Sequence, residues 1–365
     1  MDFKSERPGY LQIDDRLEFD GFRICNGGWG AALALLMPKP PGCSLRVNKA
    51  ANGKPLSANP ATRMITLTKV RQLDLSATTS GRPLHLSAAS GLVCLNSFNY
   101  VVADDELHLG VFRANSSEPG HLIRLFEGEL PACKTDRKKQ KADFEALTLL
   151  PSYGDYPYGA LLAFGSGSRP NRRLGALLGL DAQGAVRGSP QVVDCSPILA
   201  SLDGEFPALN IEGAVVSGAE LRLFQRGNQR HSENAIIRFQ LSTFLDALSS
   251  EQTAAITPLA INTFDLGQIE GIPICFTDAA ALPDGTMVFT AVAEDTDDNY
   301  NDGACAGAAV GIVDNELQCL YPLERPYKVE GVNARVEGDV IRLLLVTDAD
   351  DFEIPATLFS ATIAK

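Results

Sequence analysis

From Met64 onward, apolar and polar residues alternate in short runs separated by Gly, Asp, Asn and Pro, the pattern of β-strands joined by tight turns. The runs fall into groups of four. The second run of each group is almost continuously apolar (100–103, 160–164, 221–224, 287–292 and 341–346), as expected of strands covered on both faces. Third runs follow at 109–113, 174–180, 235–241, 308–314 and 358–363, and fourth runs at 122–130, 191–199, 256–266 and 317–323. The fifth group has no fourth run, whereas residues 64–75 form a strand that belongs to no group.

The first run of each group carries a recurring phrase: Ile211-Glu212-Gly213, Ile269-Glu270-Gly271 and Val329-Glu330-Gly331, with diverged copies at Phe144-Glu145-Ala146 and Ala89-Ser90-Gly91. A phrase repeated at this interval marks one supersecondary unit used five times. The pattern predicts an all-β, five-bladed propeller of four-stranded antiparallel blades over residues 64–365. The orphan N-terminal strand would complete the last blade, which closes the ring and removes its exposed end edges.

Residues 1–63 lack the repeat and are rich in Pro, Gly and Asn between positions 38 and 60. They are expected to form a loosely ordered extension, or to reflect a start set too early, with Met64 or Met37 as the natural first residue. No run approaches the roughly 20 apolar residues of a membrane span, and residues 29–37 lack the flanks of a signal peptide.

The chain has 365 residues, 45 acidic and 32 basic side chains and a formal charge of −13, which argues against nucleic acid and anionic membranes as partners. Eight scattered cysteines without a C-x-x-C pair read as free thiols in a reducing compartment, giving a cytoplasmic expectation. A closed ring needs no second copy, so a monomer is expected.

With these features in place, the Ile-Glu-Gly phrases, the Leu-rich second strands with polar tips and the closing Val346-Thr347-Asp348-Ala349-Asp350-Asp351 resemble the esterase-like/phytase-like propellers and an uncharacterised bacterial family related to them. The resemblance spans 64–365, and it implies calcium-dependent or hydrolytic chemistry.

Residues at one repeat offset surround one axis, so Glu145, Glu212, Glu270 and Glu330 are predicted to ring a channel mouth. Like charges at short range raise one another's pKa, so a cation is expected among them. It is either Ca²⁺, with the four glutamates as ligands, or an internal guanidinium from Arg169 or Arg226. Alternatively each glutamate anchors its own blade. The second-strand tips add Asp104, Asp105, Asn228, Glu294, Asp295, Asp348 and Asp350 to the predicted pocket.

The acidic stretch 294–303 fits no EF-hand register and reads as a surface loop, a calcium loop of another kind or a lid. There is no G-x-S-x-G, H-E-x-x-H or Walker A motif. His108 follows the Asp104-Asp105 tip and His231 the Arg226 tip, so either is a candidate general base, His231 being preferred; an ordinary surface or packed histidine is the competing reading. Two functions remain open: a hydrolase of a small ester, lactone or phosphoester, using Ca²⁺ with Arg169 and Arg226 as charge stabilisers, or a non-catalytic propeller binding a small ligand or a protein segment.

Overall fold

The computed structural model describes residues 47–49, 64–78, 81–249, 255–298 and 303–365, all within one unit, Leu45–Lys365. Five antiparallel sheets form the five blades of a propeller. The first blade is built from Ala89–Leu95, Phe98–Ala103, His108–Arg113 and His121–Arg124, and the second from Phe144–Leu150, Ala160–Gly165, Leu174–Gly179 and Gln191–Asp194. In the third, Ile211–Ser217, Glu220–Gln225, Asn234–Gln240 and Ala260–Phe264 are joined by Val47–Lys49, which pairs in parallel with the outermost strand. Apart from that strand, the expectation for residues 1–63 lies outside the described residues.

The fourth blade comprises Ile272–Ala281, Met287–Glu294, Cys305–Val313 and Leu317–Pro322. The fifth takes Val329–Glu337, Val340–Thr347 and Thr357–Ala364 from the C-terminus and its outer strand, Thr68–Gln72, from the N-terminal side. This is the closure expected from the unpaired runs. Arg71 latches the N-terminal strand, donating to the carbonyls of Ser116 at 2.7 Å and Glu118 at 2.9 Å while lying over the Phe112 ring.

Apolar side chains of adjacent blades interdigitate. Between the third and fourth blades, Phe276 meets Phe224 and Phe289 edge-on, with ring centroids 5.1 and 4.9 Å apart, a geometry that suits the aromatic quadrupole. The innermost strands touch in sequence around the axis, and the fifth touches the first. All six described cysteines are free, two of them buried. Among the described residues no helix is long and apolar enough to cross a membrane.

Closure makes the outer strand of the fifth blade indispensable, and Ile65 just before it packs into the core beside Leu323. A chain beginning at Met64 is expected to melt cooperatively within a few degrees of the full-length protein. A chain beginning at Leu73, which lacks Thr68–Gln72, should aggregate or melt far lower; calorimetry of the two truncations checks both outcomes.

Candidate functional site

Each inner strand carries a β-bulge, and four of the five recurring phrases lie at one. Pairing between the first and second strands slips at Ala89/Gly91, Phe144/Ala146, Ile211/Gly213, Phe276/Asp278 and Val329/Val332. A bulged residue leaves the ladder and its side chain is re-aimed, a device common beside functional sites. Ser90, Glu145, Glu212, Thr277 and Glu330 occupy the five bulges. The small residue that follows allows neighbouring strands to approach: a Cβ on Gly331 would lie 2.9 Å from Leu92 N, and one on Gly91 2.9 Å from Leu147 N.

The fourth blade corrects the predicted register. Glu270 and Gly271, with φ of +53° and +83°, form the turn of a hairpin in which Gln268–Ile269 pairs with the start of Ile272–Ala281. Glu270 is exposed there and does not join the other glutamates. The bulge comes later, and its side chain is the hydroxyl of Thr277, which donates to the Val329 carbonyl at 2.8 Å. The local words Ile-Glu-Gly match, but their backbone roles differ.

Next to that hydroxyl stands Asp278, where other blades have Gly or Ala. One carboxylate oxygen accepts the Val332 N–H at 2.9 Å, and the other is buried without a hydrogen-bond partner. Burial pushes this carboxyl well above the usual range, against the pull of the backbone N–H groups of Val332, Ala279 and Leu92.

Around the channel mouth, eight carboxyl groups and five cations line a cavity of about 70 Å³. Arg226, at the tip of a second strand, is 3.2 Å from Glu212 and 3.9 Å from Glu330, and also pairs with Glu294. Lys328 lies 3.7 Å from each of Glu294, Glu330 and Asp348, and 2.6 Å from Asp350. On the opposite side Lys141 pairs with Asp104 and lies 2.8 Å from Asp143, which Arg172 approaches to 2.7 Å. Asn210 donates to Glu212 at 2.5 Å.

The carboxylates exceed the cations, so the site divides into charged and neutralised members. Burial raises Glu330 and Asp348 well above the usual carboxylate range even though Lys328 opposes the shift. Burial also raises Glu145, with Glu212, Asp143 and Asp104 adding to it. Asp143 goes the other way: burial alone would raise it, but Lys141 and Arg172 hold it low. For Arg226, three glutamates outweigh the burial that would lower its pKa.

Several predicted residues gather here: Asp104, Glu145, Glu212, Arg226, Asn228, Glu294, Glu330 and Asp348 line the mouth. Asp105 and Asp350 face an adjoining cleft. Arg169 is exposed, and the guanidinium that enters is Arg172, three residues on in the turn Pro170–Arg172. His231 does not line the mouth; its backbone N–H donates to Asn228 Oδ1 at 2.8 Å. Asp295 is exposed and accepts from the Gln229 side chain. The loop tip 299–302 falls outside the described residues.

Sequence reasoning missed Lys141, Asp143, Arg172 and Lys328. A signal existed for two of them, because Asp143 and Lys328 precede a bulged glutamate by two positions, and strand alternation places such residues on one face.

The adjoining cleft, about 330 Å³, lies between the helix Lys134–Gln140 and the loop after the second strand of the fifth blade. It shares Asp104, Lys138, Lys141 and Asp348 with the channel mouth.

Residues 85–363 match a family described as a family of unknown function, DUF6929. The chain belongs to this family. No curated protein matches it. Similar solved structures include a luciferin-regenerating enzyme, at 10% identity over 76% of this chain and 92% of that one, with a TM-score of 0.41. An α-L-arabinofuranosidase mutant from Fusarium graminearum in complex with an iminosugar inhibitor is 9% identical over 81% and 98%, with a TM-score of 0.38. The tail fibre of Staphylococcus aureus phage P68 is 8% identical over 82% of this chain, which spans 53% of the fibre chain, with a TM-score of 0.40. Likeness at this level carries no chemistry to the DUF6929 chain.

Two substitutions test the electrostatics. Arg226→Met removes the cation that Glu212, Glu294 and Glu330 have in common, leaving Lys328 to the last two, and is expected to cost about 3–5 kcal/mol at pH 7.5. With the cation gone, the folded pKa values of those carboxylates lie above their unfolded values. The folded state then binds more protons as pH falls, and stability should partly return by pH 5 in denaturant titrations. Asp278→Asn keeps the acceptor for Val332 and removes the buried ionisable group. Because the folded pKa of Asp278 is raised, its destabilising effect grows as pH rises from the unfolded value through the folded one. The variant should therefore melt higher than wild type at pH 7.5, with the gap closing towards pH 4.

Proposed function

We propose that this propeller binds a small polar molecule at its channel mouth, with the ion-pair network as floor and the adjoining cleft as the main volume. The observation that carries the reading is the adjacency of the two spaces: a cleft of about 330 Å³ shares four lining residues with the charged mouth. That volume falls at the lower end of small-molecule sites, roughly 300–1,000 Å³. The cations supplied by the chain support a binding role for the carboxylates, because Arg226 and Lys328 already occupy the positions at which an added cation would meet Glu212, Glu294 and Glu330.

A hydrolytic second reading is favoured by one observation. Glu145 is pushed up while Asp143 is held down, and carboxylate oxygens of these two and Asp104 lie within 4.8 Å of one another. Carboxyl groups driven apart in pKa suit an acid and a base, in keeping with the suggested hydrolysis of an ester, lactone or phosphoester and the esterase-like/phytase-like resemblance. Calcium fits this triad poorly: the Lys141 ammonium is already bonded to two of its three members.

Thermal unfolding with a metabolite library tests the binding reading. A ligand at a hundredfold excess over its Kd adds about 2.7 kcal/mol of stability, so binders should raise the Tm of wild type by several degrees. They should fail to do so for Ala132→Trp, which fills the cleft from an exposed position. Chelation with EDTA should leave Tm unchanged; about one calcium per chain, together with a large loss of Tm on chelation, would move the assignment to the metal-dependent reading.

A further inference from the structure

The cleft has walls of opposite charge. On one side the segment 134–141 presents Lys134, Arg137, Lys138 and Lys141; on the other, the loop after the fifth blade's second strand presents Asp348, Asp350 and Asp351. Lys134 Nζ donates to the Asp350 carbonyl at 3.1 Å, so the walls stand within one lysine side chain of each other at that edge.

Two guanidiniums are fixed from below. Glu106, 5% exposed, lies 3.1 Å from Arg82 and 3.8 Å from Arg137, and Arg137 also donates to the Asp105 carbonyl at 2.5 Å. Asp105 pairs with Arg82 through one carboxylate oxygen, while its other oxygen is buried without a hydrogen-bond partner. At the rim Phe352 is 44% exposed, with the Arg82 guanidinium 5.8 Å from its ring centroid, so an apolar face remains open to a ligand.

These features select by charge. An anion would meet Asp351 and the Lys328-paired Asp350 on one wall and a cation would meet the basic segment on the other. A neutral polyol would displace water from both walls without replacing the lost charge stabilisation. A ligand carrying both charges on a short body satisfies both walls at once.

We propose that the cleft binds a zwitterion of the amino-acid or dipeptide class. Its carboxylate faces the basic segment, its ammonium faces Asp350 and Asp351, and its side chain lies on Phe352. The assignment rests on the reading of the mouth and cleft as a small-molecule site.

Isothermal titration of the full chain tests it with glycyl-L-phenylalanine and L-phenylalanine, their N-acetyl and C-amide derivatives, and glucose and citrate as uncharged and anionic probes. At least one free zwitterion is expected to bind, and capping either terminus should weaken it tenfold or more. Lys134→Glu and Asp351→Lys, both at exposed positions, should each weaken it to a similar degree without changing Tm. Binding that survives both caps, or preference for glucose or citrate, overturns the ligand class while leaving the small-molecule reading standing. Absence of binding by every zwitterion at 10 mM also overturns the inference; the small-molecule reading falls separately, if no library compound gives a shift that Ala132→Trp abolishes.

Discussion

A carboxylate removed from water must find a cation, several hydrogen bonds or a proton, and this requirement governs the centre of the propeller. Eight carboxyl groups converge on the mouth because the repeat brings five bulges and several strand tips to one axis. The chain answers with Lys141, Arg226 and Lys328, each placed between carboxylates from different parts of the ring, and with Arg172 against Asp143. Glu145, Glu330 and Asp348 take the third route and are pushed towards the protonated form. The charge state of the mouth is thus set by geometry as much as by composition.

The same bulges serve architecture and chemistry. Leaving the ladder aims Ser90, Glu145, Glu212 and Glu330 towards the channel, and the small residue beside each lets the next blade's backbone come close. Where the fourth blade replaces that small residue with Asp278, the side chain reaches across to the backbone of Val332 in the fifth blade. One substitution in the repeat phrase thereby links two inner strands. It also buries a carboxyl oxygen without a partner, a cost borne for that bridge.

Family membership and fold place the chain in a group whose description names no activity, and the propeller likeness is too remote to supply one. An adjoining cleft with a basic wall, an acidic wall and an exposed aromatic edge is specific enough to separate ligand classes by charge, which the fold is not.

Much of the architecture was legible in the sequence. Period-two alternation with turn residues gave the strands, the recurring phrase gave the number of blades, and one missing run against one surplus run gave the closure, because unpaired strand edges are costly and the count admits a single ring. Asp104, Glu212, Arg226, Glu330 and Asp348 were also within reach, since a residue at a fixed repeat offset returns to a fixed place around the axis. The exact members were not. Glu270 shares its neighbours' local sequence yet lies in a left-handed turn, and Arg172 rather than Arg169 enters the mouth because a tight turn intervenes. The helix that carries Arg137 and Lys138 belongs to a connection that the repeat does not constrain, and its pairing with the loop around Asp350 to form a cleft arises only when two blades distant in sequence are brought side by side. Local periodicity determined the strands and their order; charge pairing and the shape of the cleft were decided by tertiary contacts, which depend on distance in space and not along the chain.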